Sequence, residues 1–208
     1  MAVAPRRIAL ALTGASGMPY GMRLLECLLQ AGVRVELLYS QVAQIVARQE
    51  MDLALPSRPQ DVQALLCERF GAPAERLAVY GREEWFAPLA SGSNPADAMV
   101  ICPCTMGTLA SIAAGLSSNL IERAADVCLK EGKPLILVPR ETPFSTLHLE
   151  NMLRLSRMGV VILPPNPGFY THPQSVQDMV DFVVARILDR LGVAHALHAR
   201  WGEERDEE

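Results

Sequence analysis

Arg7-Ile8-Ala9-Leu10-Ala11-Leu12-Thr13-Gly14-Ala15-Ser16-Gly17 decides the architecture. Arg7 to Leu12 is an apolar run of strand length, Thr13 to Gly17 is a cluster of small residues, and a helical pattern follows from about Met18 to Ala31. A buried strand that enters a helix through a glycine turn opens a parallel βαβ unit. Gly32 stands where a glycine ends a helix. The pattern then repeats. Val33 to Tyr39 is a second strand, and Ser40 caps the helix that carries Glu50. Asp52 to Glu84 is less regular, with a short helix around Gln60 to Arg69 and a strand at Leu77 to Tyr80. Ala98 to Cys102 is a buried strand, followed by a helix from about Thr105. Asn119-Leu120-Ile121-Glu122 has the form of a capping box opening a helix to Lys130. Pro134 to Val138 and Val160 to Leu163 are further strands, and Leu147 to Arg157 and Ser175 to Leu191 further helices. This alternation predicts an α/β protein, a three-layer Rossmann-like or flavodoxin-like fold whose mostly parallel sheet is flanked by helices. One domain is expected over residues 1–193, with a charged tail over 194–208.

Bulk properties exclude several classes. The 208 residues are 50% hydrophobic, enough for one buried core. Nineteen basic residues against 23 acidic ones leave a net charge of −4 without a basic stripe, which disfavours nucleic acid. No apolar run approaches the ~20 residues of a membrane span. Met1 to Arg7 lacks the apolar region of a signal peptide, so a cytoplasmic protein is expected. The five cysteines form no framework and read as reduced core residues. Cys102-Pro103-Cys104 is too tight for a zinc knuckle, and His195 and His198 form H-x-x-H in the tail without partnering ligands, so no metal site is expected. Trp201 in that tail has two open readings, docking on a neighbouring surface or local packing.

The chemistry-bearing residues cluster at strand ends, where open α/β sheets bind ligands. Val138-Pro139-Arg140-Glu141-Thr142-Pro143-Phe144 places a fixed cation beside a carboxylate after a buried strand. That pairing suits an anionic ligand and a proton to be moved. The Thr13–Gly17 turn lets a ligand approach the backbone, and the free N–H groups of the following helix start attract a phosphate. It is neither G-x-G-x-x-G nor a P-loop, and Ser40 stands where a dinucleotide site wants a carboxylate. Cys104-Thr105-Met106-Gly107-Thr108 is a second such junction, with plain N-capping by Thr105 and ligand contact both open. Arg123 and Lys130, seven apart, share a helix face that is either solvated or a phosphate site. Arg186 sits among Val183, Val184, Ile187 and Leu188, either buried with an anionic partner or on the exposed side. Trp85 is an apolar anchor or a π face for a carbocation. Glu50 is a surface carboxylate or a proton carrier.

Six stretches in order make the chain resemble the flavin prenyltransferases, the UbiX/Pad family of the flavin-dependent cysteine-decarboxylase-like fold, over roughly residues 6 to 193. They are Thr13–Gly17, Ala90-Ser91-Gly92-Ser93, Cys102–Met106, Asn119–Val127, Val138–Pro143 and Pro167-Gly168-Phe169-Tyr170. The resemblance implies FMN held by Gly14, Ala15 and Ser16, by Ser40, by Thr105-Met106-Gly107 with Cys104, and by Arg140. It implies the phosphate of dimethylallyl monophosphate among Lys130, Arg140, Tyr170 and Arg186, with Arg123 and Glu141 in the same network. Ser91 and Gly92 would line the pocket and Trp85 would lie against the allyl group. Ser16, Glu50, Lys130, Glu141 and Trp85 would be the catalytic residues, with Glu141 and Glu50 moving protons during ring closure. A homododecamer that completes each site between subunits is implied, as is a UbiD-type decarboxylase as client, in a setting such as ubiquinone synthesis. No Asp-Asp pair occurs, which fits a metal-independent enzyme. Two alternatives carry different chemistry. One is an FMN-dependent cysteine decarboxylase of the same fold, which would want a catalytic His before Pro103. The other is a flavin carrier, which would need the cradle but no proton-transfer carboxylates.

Overall fold

The computed structural model describes residues 7–198. The N-terminal residues 1–6 and the tail from 199, including Trp201, lie outside the described residues. Six strands and seven α-helices alternate in these residues: β1 (Arg7–Leu12), α1 (Met18–Gln30), β2 (Arg34–Tyr39), α2 (Gln41–Met51), α3 (Pro59–Phe70), β3 (Leu77–Tyr80), β4 (Ala98–Cys104), α4 (Met106–Ala113), α5 (Leu120–Lys130), β5 (Leu135–Pro139), α6 (Thr146–Arg157), β6 (Val161–Ile162) and α7 (Val176–Leu191). All strand pairs are parallel, in the order β3-β2-β1-β4-β5-β6. This is the Rossmann order, and its direction reverses between β1 and β4.

The pleat divides the core into two layers. Ile8, Leu10, Val35 and Leu37 face α1, α2, α3 and α7, while Ala9, Ala11, Leu38 and Ile101 face α4, α5 and α6. Strands buried on both faces read as continuous apolar runs, which is why the sequence shows them so plainly. Each fully buried Leu or Ile contributes about 1.5–3 kcal/mol. One close approach sets the depth of the crevice. A Cβ built on Gly21 of α1 would lie 2.3 Å from the Cys102 carbonyl oxygen and 2.6 Å from Leu12 Cδ2. Glycine there lets α1 lie directly on the ends of β1 and β4.

The caps refine the sequence reading. Ser40 Oγ accepts from Ala43 N–H and Thr105 Oγ1 from Thr108 N–H, as expected of N-caps. The capping box expected at Asn119 is half formed. Asn119 Oδ1 accepts from Ile121 and Glu122 N–H, but Glu122 accepts from Ser118 N–H, one residue further upstream. The complete boxes lie at Ser145 with His148 and at Ser175 with Asp178. The irregular stretch contains a full helix, α3, because Pro59 starts it and left-handed Gly71 ends it. β4 runs two residues further than its apolar core, through Pro103 to Cys104, with its register against β5 shifting there.

Candidate active site

The crevice at the β1/β4 reversal is fastened by Thr13. Its hydroxyl donates to the Pro103 carbonyl at 2.7 Å and accepts from Thr105 N–H at 2.8 Å. Thr13 is 1% exposed, so these bonds hold the two strand-to-helix junctions as one unit. Beyond it lies a cleft of about 320 Å³ lined by Gly14, Ser40, Arg82, Thr105, Gly107, Thr108 and Asn119, among others. Serine and threonine hydroxyls, the Asn119 amide and the Arg82 guanidinium line it beside the apolar Val42 and Ile121 and the Glu122 carboxylate. A Cβ on Gly107 would meet only Thr105 Oγ1, at 3.9 Å, so the first turn of α4 is open to a ligand. This donor set fits a phosphorylated, hydroxylated ligand such as FMN.

Two residues expected in that cradle face elsewhere. Cys104 and Met106 belong to the core layer under α4 and α5. Burial pushes the Cys104 thiol up to about 12, so it remains a protonated packing group. Only their backbone is left to a ligand. Thr105 caps its helix and lines the cleft, so its two readings coexist.

The expectation that free N–H groups at the start of α1 attract a phosphate needs correction. Glu50, at the end of α2, reaches across and accepts from Gly17 N–H at 2.9 Å and Met18 N–H at 2.8 Å. A carboxylate already satisfies the positive end of that helix. A second anion on those two donors would meet like charge, which leaves the α4 junction and Arg82 for a phosphate. Glu50 therefore pins the Gly14–Gly17 loop.

The cation-carboxylate pair after β5 adjoins the same loop. Arg140 Nε donates to the Ser16 carbonyl at 3.3 Å. Arg140 and Glu141 line a neighbouring pocket of about 270 Å³ with Phe144 and Pro164–Asn166. Glu141 Oε1 accepts from Thr142 N–H at 3.1 Å, which turns its carboxylate along the loop. Tyr170, on a short 3-10 turn beyond β6, is exposed and packs edge-on against Phe182 with ring centroids 5.8 Å apart. Arg186 is on the exposed side of α7, with its Nη1 3.0 Å from Asp189 Oδ2.

Ser91, Gly92, Arg123 and Lys130 form a separate group. Arg123 Nε donates to the Ala90 carbonyl at 2.9 Å, and its Nη1 pairs with Asp126. Lys130 pairs with Glu131, and both lie against Gly92. The shared face of α5 thus grips the Ala90–Gly92 loop. Lys130 ends α5 and sits ahead of β5, whereas Arg140 follows β5. The chain itself keeps these two cations at opposite ends of one strand. Trp85 is half exposed beside fully exposed Phe86, and lines neither pocket.

Sequence reasoning read Thr13 only as part of the turn and Asn119 only as a cap, and it did not single out Arg82. Thr13 follows an apolar strand as many threonines do. Arg82 sits in an irregular loop and enters the cleft because Leu120 N–H donates to its carbonyl at 2.9 Å. Among the described residues no group of three or more His, Cys, Asp or Glu side chains is placed to hold a metal ion, and no helix is long and apolar enough to cross a membrane.

Comparison with known proteins agrees with this geometry. The flavoprotein family model matches residues 2–188. The chain is 59% identical over 200 residues to the flavin prenyltransferase UbiX of Pseudomonas aeruginosa, covering 96% of each chain. The dodecameric FMN-dependent UbiX-like decarboxylase of Escherichia coli O157:H7 superposes with a TM-score of 0.82 at 43% identity, covering 95% of this chain and 100% of that one. AnUbiX, solved in complex with FMN and dimethylallyl pyrophosphate, gives 0.85 at 39% identity, covering 97% of this chain and 100% of that one. The chain belongs to the flavoproteins and, within them, to the UbiX family of flavin prenyltransferases.

Proposed function

We propose that this transferase joins the dimethylallyl group of dimethylallyl monophosphate to N5 and C6 of reduced FMN, without a metal, and that the prenylated FMN serves a UbiD-type decarboxylase. The observation that carries the reading is the contact between Arg140 and Ser16. It sets a fixed cation and the carboxylate of Glu141 against the loop that borders the hydroxyl-lined cleft. Bound there, reduced FMN supplies the nucleophilic atoms to which the allyl group is joined.

The side chains have separable tasks. Gly14, Ala15, Ser16, Ser40, Thr105, Gly107 and the backbone of Cys104 and Met106 hold the flavin, with Arg82 as a further cation in the cleft. Arg140, Tyr170, Arg186 and Lys130 hold the phosphate and stabilise its charge as the allylic C–O bond breaks. Trp85, which lines neither pocket of its own chain, would shield the allyl cation from water in the site of a neighbouring copy. Ring closure takes a proton from C6 and places one on the allyl double bond as the new C–C bond forms, and Glu141 would carry it; Glu50 keeps the Ser16 loop in register through Gly17 and Met18. Ser91, Gly92 and Arg123 position Lys130. A site drawing on both ends of β5 needs a second copy of the chain, and the dodecamer of the Escherichia coli relative supports assembly of that kind. The cytoplasm is the expected compartment.

The test is anaerobic. The protein is mixed with reduced FMN and dimethylallyl monophosphate or diphosphate in chelator, and the flavin mass is followed. A flavin heavier by one prenyl unit is expected from the monophosphate. Glu141→Gln should keep FMN and stall turnover. Unmodified flavin despite tight FMN binding would overturn the reading in favour of a decarboxylase or a carrier.

A further inference from the structure

Among the described residues the H-x-x-H pair of the tail joins no group of metal-ligating side chains, and both of its rings are engaged. The chain leaves α7 at Gly192, whose left-handed φ of 68° reverses its direction. The turn is closed by Gly192 N–H to the Asp189 carbonyl and Val193 N–H to the Leu188 carbonyl. Val193 is buried and Leu197 packs against the same core layer, so the segment is pinned as it returns. Its two histidines then meet one stripe of α7. His195 Nε2 lies 3.2 Å from Asp189 Oδ1, and the other oxygen of Asp189 holds Arg186 Nη1 at 3.0 Å. His198 stacks on Phe182 at 5.4 Å and 18°, and Phe182 packs edge-on against Tyr170. Phe182, Arg186 and Asp189 are spaced to share a helix face.

We infer that Ala194–His198 is a brace for the two phosphate-binding candidates, His195 positioning Arg186 through Asp189 and His198 positioning Tyr170 through Phe182. This rests on the reading of Tyr170 and Arg186 as substrate residues. The physical gain is pre-organisation. A free Arg side chain samples many rotamers, and that freedom is lost each time it binds phosphate. Asp189 takes one nitrogen of the guanidinium and leaves the rest of the fork for an anion. His195, itself 9% exposed at its side chain, fixes Asp189. The aromatic stack does the same for the Tyr170 ring. Both histidines are positioning residues, with no contact to the flavin cleft.

The experiment compares the double variant His195→Ala/His198→Ala with the conservative pair His195→Gln/His198→Phe, in the full chain. KM for dimethylallyl monophosphate, kcat, FMN affinity by fluorescence and thermal stability are measured. The alanine pair should raise KM about tenfold, leave FMN affinity within twofold, and change kcat less than KM. The conservative pair should restore most of the KM. A general structural role would lower FMN affinity and KM performance together, and would overturn the inference, as would equal behaviour of the two pairs. Arg186→Ala and Tyr170→Phe are run in parallel. If these raise KM and the alanine pair does not, the brace is wrong and the substrate reading stands. If neither raises KM, the substrate reading falls and the brace with it.

Discussion

Gly21→Ala tests how the crevice is built. The new methyl would start 2.3 Å from a backbone oxygen of Cys102 and 2.6 Å from Leu12 Cδ2. The leucine tip can rotate, but the carbonyl belongs to β4, which is held between β1 and β5 up to Ile101, the residue before it. Real Cβ atoms essentially never come within 3.0 Å of such a neighbour, so α1 must retreat by at least 0.7 Å. Overpacking of this kind costs about 1–3 kcal/mol. Alanine returns up to about 1 kcal/mol through helix propensity. Because the obstacle is backbone, the overpacking cost falls in the upper part of that range, and the net is a destabilisation of about 1–2 kcal/mol, or roughly 2–8 °C in Tm for a chain of this length. Urea unfolding of the flavin-free protein reads it directly. Gly107→Ala is the control, because its Cβ would meet only Thr105 Oγ1 at 3.9 Å. That variant should match or exceed wild-type stability, yet lose FMN affinity by narrowing the cleft. A Gly21→Ala protein as stable as wild type would refute the claim that this helix rests on the β4 carbonyl.

Two further outcomes follow from buried charge and from the cleft. Glu36 is 0% exposed, neither of its oxygens has a hydrogen-bond partner among the described residues, and Arg7 Nε is 3.8 Å away. Burial pushes its carboxyl above the ordinary 4.5, so its contribution is fully present below that pH and is lost as pH rises. Glu36→Met should therefore be the more stable protein at pH 7.5, by about 1 kcal/mol, with the advantage shrinking toward pH 4.5 in urea unfolding. An advantage independent of pH would rule out the carboxyl as its source. Arg82→Met should weaken FMN binding about tenfold and riboflavin binding little, as expected for loss of a charge-assisted phosphate contact. Equal losses for both ligands in fluorescence titration would place the phosphate elsewhere.

What the sequence disclosed depended on how local each determinant is. β1, β4 and β5 are apolar runs buried on both faces, and Ser40, Thr105 and Gly32 act within a few residues of themselves. These are legible one segment at a time. The capture of the α1 N–H groups by Glu50 spans 33 residues, and no local pattern marks it. The same holds for Thr13, whose hydroxyl acts on Pro103 and Thr105 some 90 residues later. Asn119 misled because an Asn-x-x-Glu spacing specifies where a carboxylate can reach, but Ser118 N–H was the better placed donor. Arg140 and Glu141 could be placed at the sheet edge from the sequence because the end of a buried strand fixes where the next residues go. The tail histidines looked idle because their partners, Asp189 and Phe182, become neighbours only after the turn at Gly192.

The separation of Lys130 from Arg140 leads to the strongest test of assembly. β5 lies between them, and its five residues span about 17 Å at ~3.3 Å each. Neither side chain can cross that length to meet the other at a single phosphate. If both act on one substrate, they come from different copies. Lys130→Ala and Arg140→Ala should each abolish prenyl transfer alone. Co-expressed with different tags and purified as mixed assemblies, they should recover activity, because a chain with intact Arg140 can then face one with intact Lys130. Random association makes such pairings about one quarter of all sites. Recovery near that fraction of wild type, measured as prenylated flavin per site, would place the active centre between subunits. Mixed assemblies as inactive as their parents would confine the chemistry to the C-terminal edge of one sheet, and Lys130 would then be a structural cation that pairs with Glu131 and packs against Gly92.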